Sequence, residues 1–136
     1  MNKFTKINLN IFVVCLAIYF VNRLTNDTYF IPYLSYILRY HFNDYLAGIV
    51  FLAYLNIILA ISKYKYIKVL KLSQVIFTGI LIGTFWEYIT PIHKNDSTSD
   101  IIDVISYVLG AISYKFIYSF IMLRYKKRRK YNENKV

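Results

Sequence analysis

Residues 45–62 read YLAGIVFLAYLNIILAIS, eighteen consecutive positions without a charged side chain and with one strongly polar residue, Asn56. At a rise of 1.5 Å per residue, an α-helix of this length covers about 27 Å, close to the ~30 Å hydrocarbon layer of a bilayer. Backbone groups inside that layer must be paired within the segment, which a helix achieves and an open sheet does not. The stretch therefore predicts a transmembrane helix over residues 44–62.

Three other stretches have the same character: residues 7–24, 72–92 and 101–123. The whole chain has 136 residues, of which 57% are hydrophobic and 18% are charged, so it has room for a single domain. We expect one integral membrane domain over residues 1–136. The predicted fold is all-α, a polytopic membrane protein with four transmembrane helices in a bundle.

The first stretch also suits a cleaved signal peptide. Lys3 and Lys6 form a basic start, and the apolar centre from Ile11 to Val21 has the length of a signal-peptide core. No cleavage site of the small-x-small type follows, so a retained helix is the favoured interpretation and cleavage is the alternative.

The connection between the first two predicted helices is aromatic. Pro32 interrupts residues 28–40, and the rings crowd together at short intervals, at Tyr29, Phe30, Tyr33, Tyr36 and Tyr40. Aromatic side chains concentrate at the headgroup level of membranes. We expect an interfacial segment here, with a re-entrant segment as the alternative.

Positive charges are distributed unequally along the chain. Thirteen of the seventeen Lys and Arg residues lie before the first helix, in the connection over residues 63–71, or in the tail over residues 124–136. The positive-inside rule then places both termini and this connection in the cytoplasm, next to an inner (plasma) membrane. Because the tail directly follows a predicted transmembrane helix, we expect it to contact anionic inner-leaflet lipids and not nucleic acid.

Six of the seven acids fall on the opposite side, and four of them are candidate site residues: Glu87, Asp103, Asp100 and Asp44. Glu87 lies about fifteen residues, or ~22 Å, from the inner end of its helix, which is below the outer membrane surface. An ionisable side chain at that depth is a functional hypothesis by default.

Residue spacing predicts which way these acids face. Gly79, Gly83 and Glu87 follow one another at four-residue intervals, so one side of the third helix carries two small residues and the acid. Asp103 and Tyr107 begin a similar stripe on the fourth helix. We expect these helices to pack closely, with Glu87 and Asp103 pointing at each other.

Carboxylates gathered in one place repel one another, so a cation or shared protons must compensate. Mg²⁺ or Ca²⁺ suits a purely oxygen site, whereas participation of His41 or His93 would favour Zn²⁺ or Mn²⁺. A structural alternative stays open, in which Asp44 and Asp100 stabilise helix N-termini and both histidines are solvated loop residues. No familiar enzyme signature occurs in the sequence, so enzymatic activity is left open.

Residues 85–91, FWEYITP, and residues 100–110, DIIDVISYVLG, resemble the core of the VanZ-like membrane protein family. That family has a glutamate late in its third helix and an Asp-x-x-Asp-x-x-x-Asn-x-x-Gly pattern opening the fourth, although Tyr107 stands here at the Asn position. In size and in Asn43-Asp44, the chain also resembles short bacterial proteins labelled magnesium-citrate secondary transporter-like. The likeness covers about residues 35–114.

This resemblance implies a bacterial inner-membrane protein with an accessory role in the cell envelope, linked to glycopeptide resistance. Its outer carboxylate pocket would bind a metal ion, a cationic headgroup or an antibiotic. One alternative is a small cation- or proton-coupled transporter, which would need a homo-oligomer because four helices are few for alternating access. The other is a membrane-embedded hydrolase or transferase, in which a carboxylate-held metal activates water.

Overall fold

The computed structural model describes residues 2–25, 41–64, 66–89 and 101–133. The predicted interfacial segment over residues 28–40 lies outside these ranges, as do Asp100 and His93. The described residues form helices and no strand, which confirms the all-α class. In chain order the helices are α1 (Lys3–Thr25), α2 (Phe42–Ile61), α3 (Leu72–Thr84) with a π-helix (Phe85–Ile89) directly after it, and α4 (Ile101–Glu133).

Three helices are long and apolar enough to cross a membrane: α1, α2 and the part of α4 from Ile101 to Arg129. The chain is therefore a multi-pass membrane protein. The 13 residues of α3 span about 20 Å, less than the hydrocarbon layer, and its 5-residue π-helix continues it. A fourth spanning helix over residues 72–92 stays a prediction, since residues 90–92 are not among those described.

We expected the fourth helix to end at residue 123. Helix α4 instead continues through the basic residues to Glu133. The sequence after residue 123 has no Gly or Pro to stop a helix, and Lys and Arg are good helix formers. Cations are also stabilised near the negative end of a helix dipole. The change from apolar to basic residues after position 123 therefore does not mark the end of α4.

Glycines set the closest helix contact, where α2 crosses α4. A Cβ atom on Gly48 would collide with the backbone carbonyl of Tyr107, and one on Gly110 would collide with the carbonyl of Tyr45. The two backbones therefore touch where no methyl group fits, as in other small-residue crossings in membranes. On its other side α2 packs along α1, and α3 packs along α4.

The predicted glycine stripe on α3 is confirmed. Cβ atoms on Gly79 and Gly83 would lie 3.0 Å from the Cα atoms of Val108 and Val104 of α4, respectively. Both glycines are buried.

Contacts between distant residues define the directions of the helices. Phe4 packs on Tyr118 with ring centroids 5.7 Å apart, so α1 and α4 are antiparallel. His41, just before α2, contacts Asp103 in the first turn of α4, so α2 and α4 are parallel. At one end, Lys3 of α1 lies 4.5 Å from the Tyr125 ring of α4. We call this the basic end and the opposite one, with Asp103, the acidic end.

A buried polar network joins three helices near the basic end. Asn8, Asn56 and Tyr114 are all 0% exposed. The Tyr114 hydroxyl donates to Asn8 Oδ1 at 2.6 Å and accepts from Asn56 Nδ2 at 2.9 Å. Asn56 also pairs with the backbone of Val69, accepting from its N–H at 2.9 Å and donating to its carbonyl at 3.2 Å. The network therefore fastens the α2–α3 connection to the helices.

Candidate functional site at the acidic end

One polar contact at the acidic end joins the side chains of His41 and Asp103. The His41 Nδ1 atom lies 2.7 Å from Asp103 Oδ1, and the two side chains are only 15% and 21% exposed. The interpretation of His41 as a solvated loop residue is therefore wrong. Because α2 and α4 run parallel, the residue that precedes one helix meets the first turn of the other.

Asp44 lies at the centre of the other polar contacts. Its carboxylate lies close to the side chain of Tyr107, and it is close enough to Asp103 and Glu87 to interact with both electrostatically. All three acids are half-buried. The helices thus bring together three of the four predicted acids, and the fourth, Asp100, lies outside the described residues.

Glu87 is carried by the π-helix and not by a regular α-helix. A π-helical turn contains one more residue than an α-turn, so it changes the direction in which the side chains after it point. Such turns occur frequently at functional sites. The four-residue spacing from Gly79 predicted the side of the helix that faces α4, but no feature of the sequence predicted this local change.

The end of α1 is also tied to this region. Asn22 is buried and its Nδ2 donates to Asn43 Oδ1, one residue before Asp44, at 2.9 Å. Sequence analysis missed this pair because amide side chains carry no charge to draw attention to them. The contact holds α1 beside the start of α2.

An apolar cavity of about 280 Å³ is lined by residues of α1, α2, α4 and the π-helix, and none of the three acids is among them. Tyr107 lines it and also lies beside the carboxylate of Asp44, so this residue is common to the cavity wall and the cluster. Two apolar cavities of about 210 Å³ each share Phe51 with it. We call the 280 Å³ space the apolar groove; it is lined by Leu16, Tyr19, Ala47, Val50, Phe51, Trp86 and Tyr107.

Trp86 directly precedes Glu87 in the π-helix. It is 41% exposed and also lines the apolar groove, in contact with Phe85 edge-to-face at 5.9 Å between ring centroids. A flat aromatic ring next to carboxylates is a suitable surface for an organic cation.

The described residues include no group of three His, Cys, Asp or Glu side chains placed to hold a metal ion. The carboxylates of Asp44, Asp103 and Glu87 interact across the site without converging on one point. Their arrangement suits a cation whose charge is spread over several atoms better than a metal ion, which needs a compact shell of ligands. His93, the other possible ligand, lies outside the described residues.

Comparison of the chain with models of protein families, with curated proteins and with solved structures found no match.

Proposed function

We propose that this chain is a VanZ-like accessory protein of the bacterial cell envelope, located in the inner membrane with both termini in the cytoplasm, and that it binds a cationic amphiphile at its acidic end. The observation that carries the proposal is the position of Tyr107, which joins the apolar groove to the carboxylate of Asp44. A ligand with an apolar chain and a positive headgroup would match both parts of this site.

Charge supports a cationic headgroup. Three half-buried carboxylates, Asp44, Asp103 and Glu87, lie close enough to interact, and one of them, Asp103, contacts His41. Repulsion among close carboxylates is stronger where the dielectric constant is low. A bound cation would relieve it.

The apolar groove would select the ligand mainly by shape. In a bilayer, lipid tails are as apolar as the groove, so moving a chain into it releases little hydrophobic free energy. The attraction must then come from the carboxylates. Affinity should depend strongly on the charge of the headgroup and weakly on the length of the chain.

Binding can be tested with two fluorescent amphiphiles that share one dodecyl chain, one with a trimethylammonium headgroup and one with a sulfonate. We expect the purified protein in a neutral detergent to bind only the first, measured by fluorescence anisotropy. Asp103→Asn or Glu87→Gln should weaken binding about tenfold, equivalent to ~1.4 kcal/mol. The control is Glu133→Gln, which removes an acid at the far end of α4. Equal binding of both probes would refute the proposal.

The envelope role needs a separate measurement in cells. Expression in a glycopeptide-susceptible bacterium should improve growth at inhibitory concentrations of the antibiotic. Glu87→Gln and Asp103→Asn should abolish this protection while the protein is still found in the membrane fraction. If protection survives both substitutions, the envelope role does not depend on these carboxylates.

The described residues support neither the transporter hypothesis nor the hydrolase or transferase hypothesis. A proton or cation path along the α2–α4 interface would have to pass Gly48 and Gly110, where the backbones touch. Tyr107 and Tyr114, the polar side chains on either side of that crossing, are two helical turns apart, about 10 Å. A metal-dependent hydrolase would need a ligand set that this part of the chain does not supply.

A further inference from the structure

The basic end carries a second feature that the proposed function does not use. Helix α4 extends from Arg124 to Glu133 after its last long apolar stretch. Ten helical residues are about 15 Å long, whereas the headgroup layer of one leaflet is roughly 5–8 Å thick. The start of this extension therefore lies at the level of the lipid phosphates.

The side chains of the extension are not arranged evenly around the helix. Three cations and two aromatic residues recur at intervals of three and four positions, which places them on one face. They border two open depressions of about 570 and 210 Å³ on the surface of α4, the smaller of which Tyr125 also borders, and the Arg124 guanidinium lies 4.4 Å from the Phe120 ring centroid. We call this the Arg124 face; it consists of Phe120, Arg124, Lys127, Arg128 and Tyr131.

Two other cations of the extension point elsewhere. Successive residues of an α-helix are rotated by 100°, so Lys126 and Arg129 lie roughly 150° from the centre of the Arg124 face. The chain thus has two sets of basic residues, at the same depth and on opposite sides of one helix.

We infer that the Arg124 face binds one anionic phospholipid, with the phosphate at Arg124 and Arg128 and an acyl chain beside Phe120. The order of side chains along the helix supports this choice, because apolar Phe120 and Ile121 come first and the cations follow. A phospholipid presents its chain and its phosphate in the same order. Two arginines can each hold a phosphate through paired N–H groups. A nucleic acid would have no chain to place against Phe120.

The test compares two double variants that remove the same charge. Arg124→Gln/Arg128→Gln changes the proposed site, and Lys126→Gln/Arg129→Gln changes the opposite side of α4. The probe is phosphatidylglycerol with a fluorescent acyl chain, titrated against the full chain in a neutral detergent. We expect about thirtyfold weaker binding for the first variant and less than about threefold for the second. Equal losses would mean that the cations act only through their total charge, and would overturn the inference.

Two further measurements complete the test. Arg124→Lys/Arg128→Lys keeps the charge but loses the paired N–H groups, so we expect a loss of about threefold to tenfold in a protein of unchanged helical content. Unchanged affinity would contradict the assigned geometry. Glycerol phosphate, which has no acyl chain, should not displace the labelled lipid at a hundredfold excess. Displacement would identify free phosphate as the ligand and refute the lipid assignment.

Discussion

The polar network near the basic end and the carboxylate cluster at the acidic end both include residues of α2 and α4, yet they differ in charge and in burial. In the network, the neutral side chains of Asn8, Asn56 and Tyr114 are fully buried and bond one another and the backbone. In the cluster, Asp44, Asp103 and Glu87 are half-buried and repel one another. The network has the fully bonded polar groups of a structural core, and the cluster gathers ionisable groups inside the membrane-spanning part, as binding sites do.

The largest effect should come from breaking the crossing that lies between these two regions. Gly110→Val puts a side chain against the backbone carbonyl of Tyr45, so the helices must separate. We expect the free energy of unfolding to fall by about 3 kcal/mol. It can be measured by titration with sodium dodecyl sulfate in mixed micelles. The control is Leu109→Val, which places a valine at the neighbouring, exposed position of α4.

Both regions should respond to this change, because the crossing aligns His41 with Asp103 and Asn56 with Tyr114. A Gly110→Val protein that keeps wild-type stability and still binds the cationic amphiphile would mean that the close α2–α4 contact is not needed.

The network alone is tested by Tyr114→Phe, which removes one hydroxyl and no carbon atoms. Asn8 Oδ1 then loses a donor and Asn56 Nδ2 loses an acceptor, both without access to water. We expect a loss of about 1.5 kcal/mol in the free energy of unfolding. Binding of the cationic amphiphile should stay within about twofold of wild type. A large loss of binding with little loss of stability would contradict the division into structural and functional regions.

Sequence patterns predicted the parts of the fold that depend on near neighbours. The uncharged run over residues 45–62 predicted α2, and the four-residue spacing of Gly79 and Gly83 predicted the face of α3 that packs on α4. Glu87, Asp103 and Asp44 were singled out because charge is costly inside a membrane. Each of these inferences used only the composition or spacing of one segment.

The contacts that sequence analysis missed join residues far apart in the chain. His41 and Asp103 are 62 positions apart, and Asn8 and Tyr114 are 106 apart. Finding them requires knowing that α2 and α4 are adjacent and parallel, which no single segment reveals. The π-helix was missed because a shift of hydrogen bonding by one residue leaves no periodic pattern of apolar positions.

Asp44→Asn should have a smaller effect on stability, and of the opposite sign. The amide keeps the size of the carboxyl group, while the repulsion from Asp103 and Glu87 disappears. We expect the free energy of unfolding to rise by about 1 kcal/mol and binding of the cationic amphiphile to weaken. The matched control is Asn56→Asp, which adds a carboxyl group to the network and should destabilise. Destabilisation by Asp44→Asn would show that this acid is structural.

The smallest effect concerns the contact between His41 and Asp103. The contact is a single hydrogen bond between groups that would otherwise bond water, so the pair should contribute only about 0.5 kcal/mol. A double-mutant cycle of His41→Ala and Asp103→Asn isolates this coupling from the other effects of each substitution. Additive losses would show that the 2.7 Å contact does not stabilise the fold. Coupling of that size would show that His41 helps to hold the two helix ends together. If Asp103→Asn also weakens cation binding and His41→Ala does not, the aspartate binds the ligand and the histidine does not.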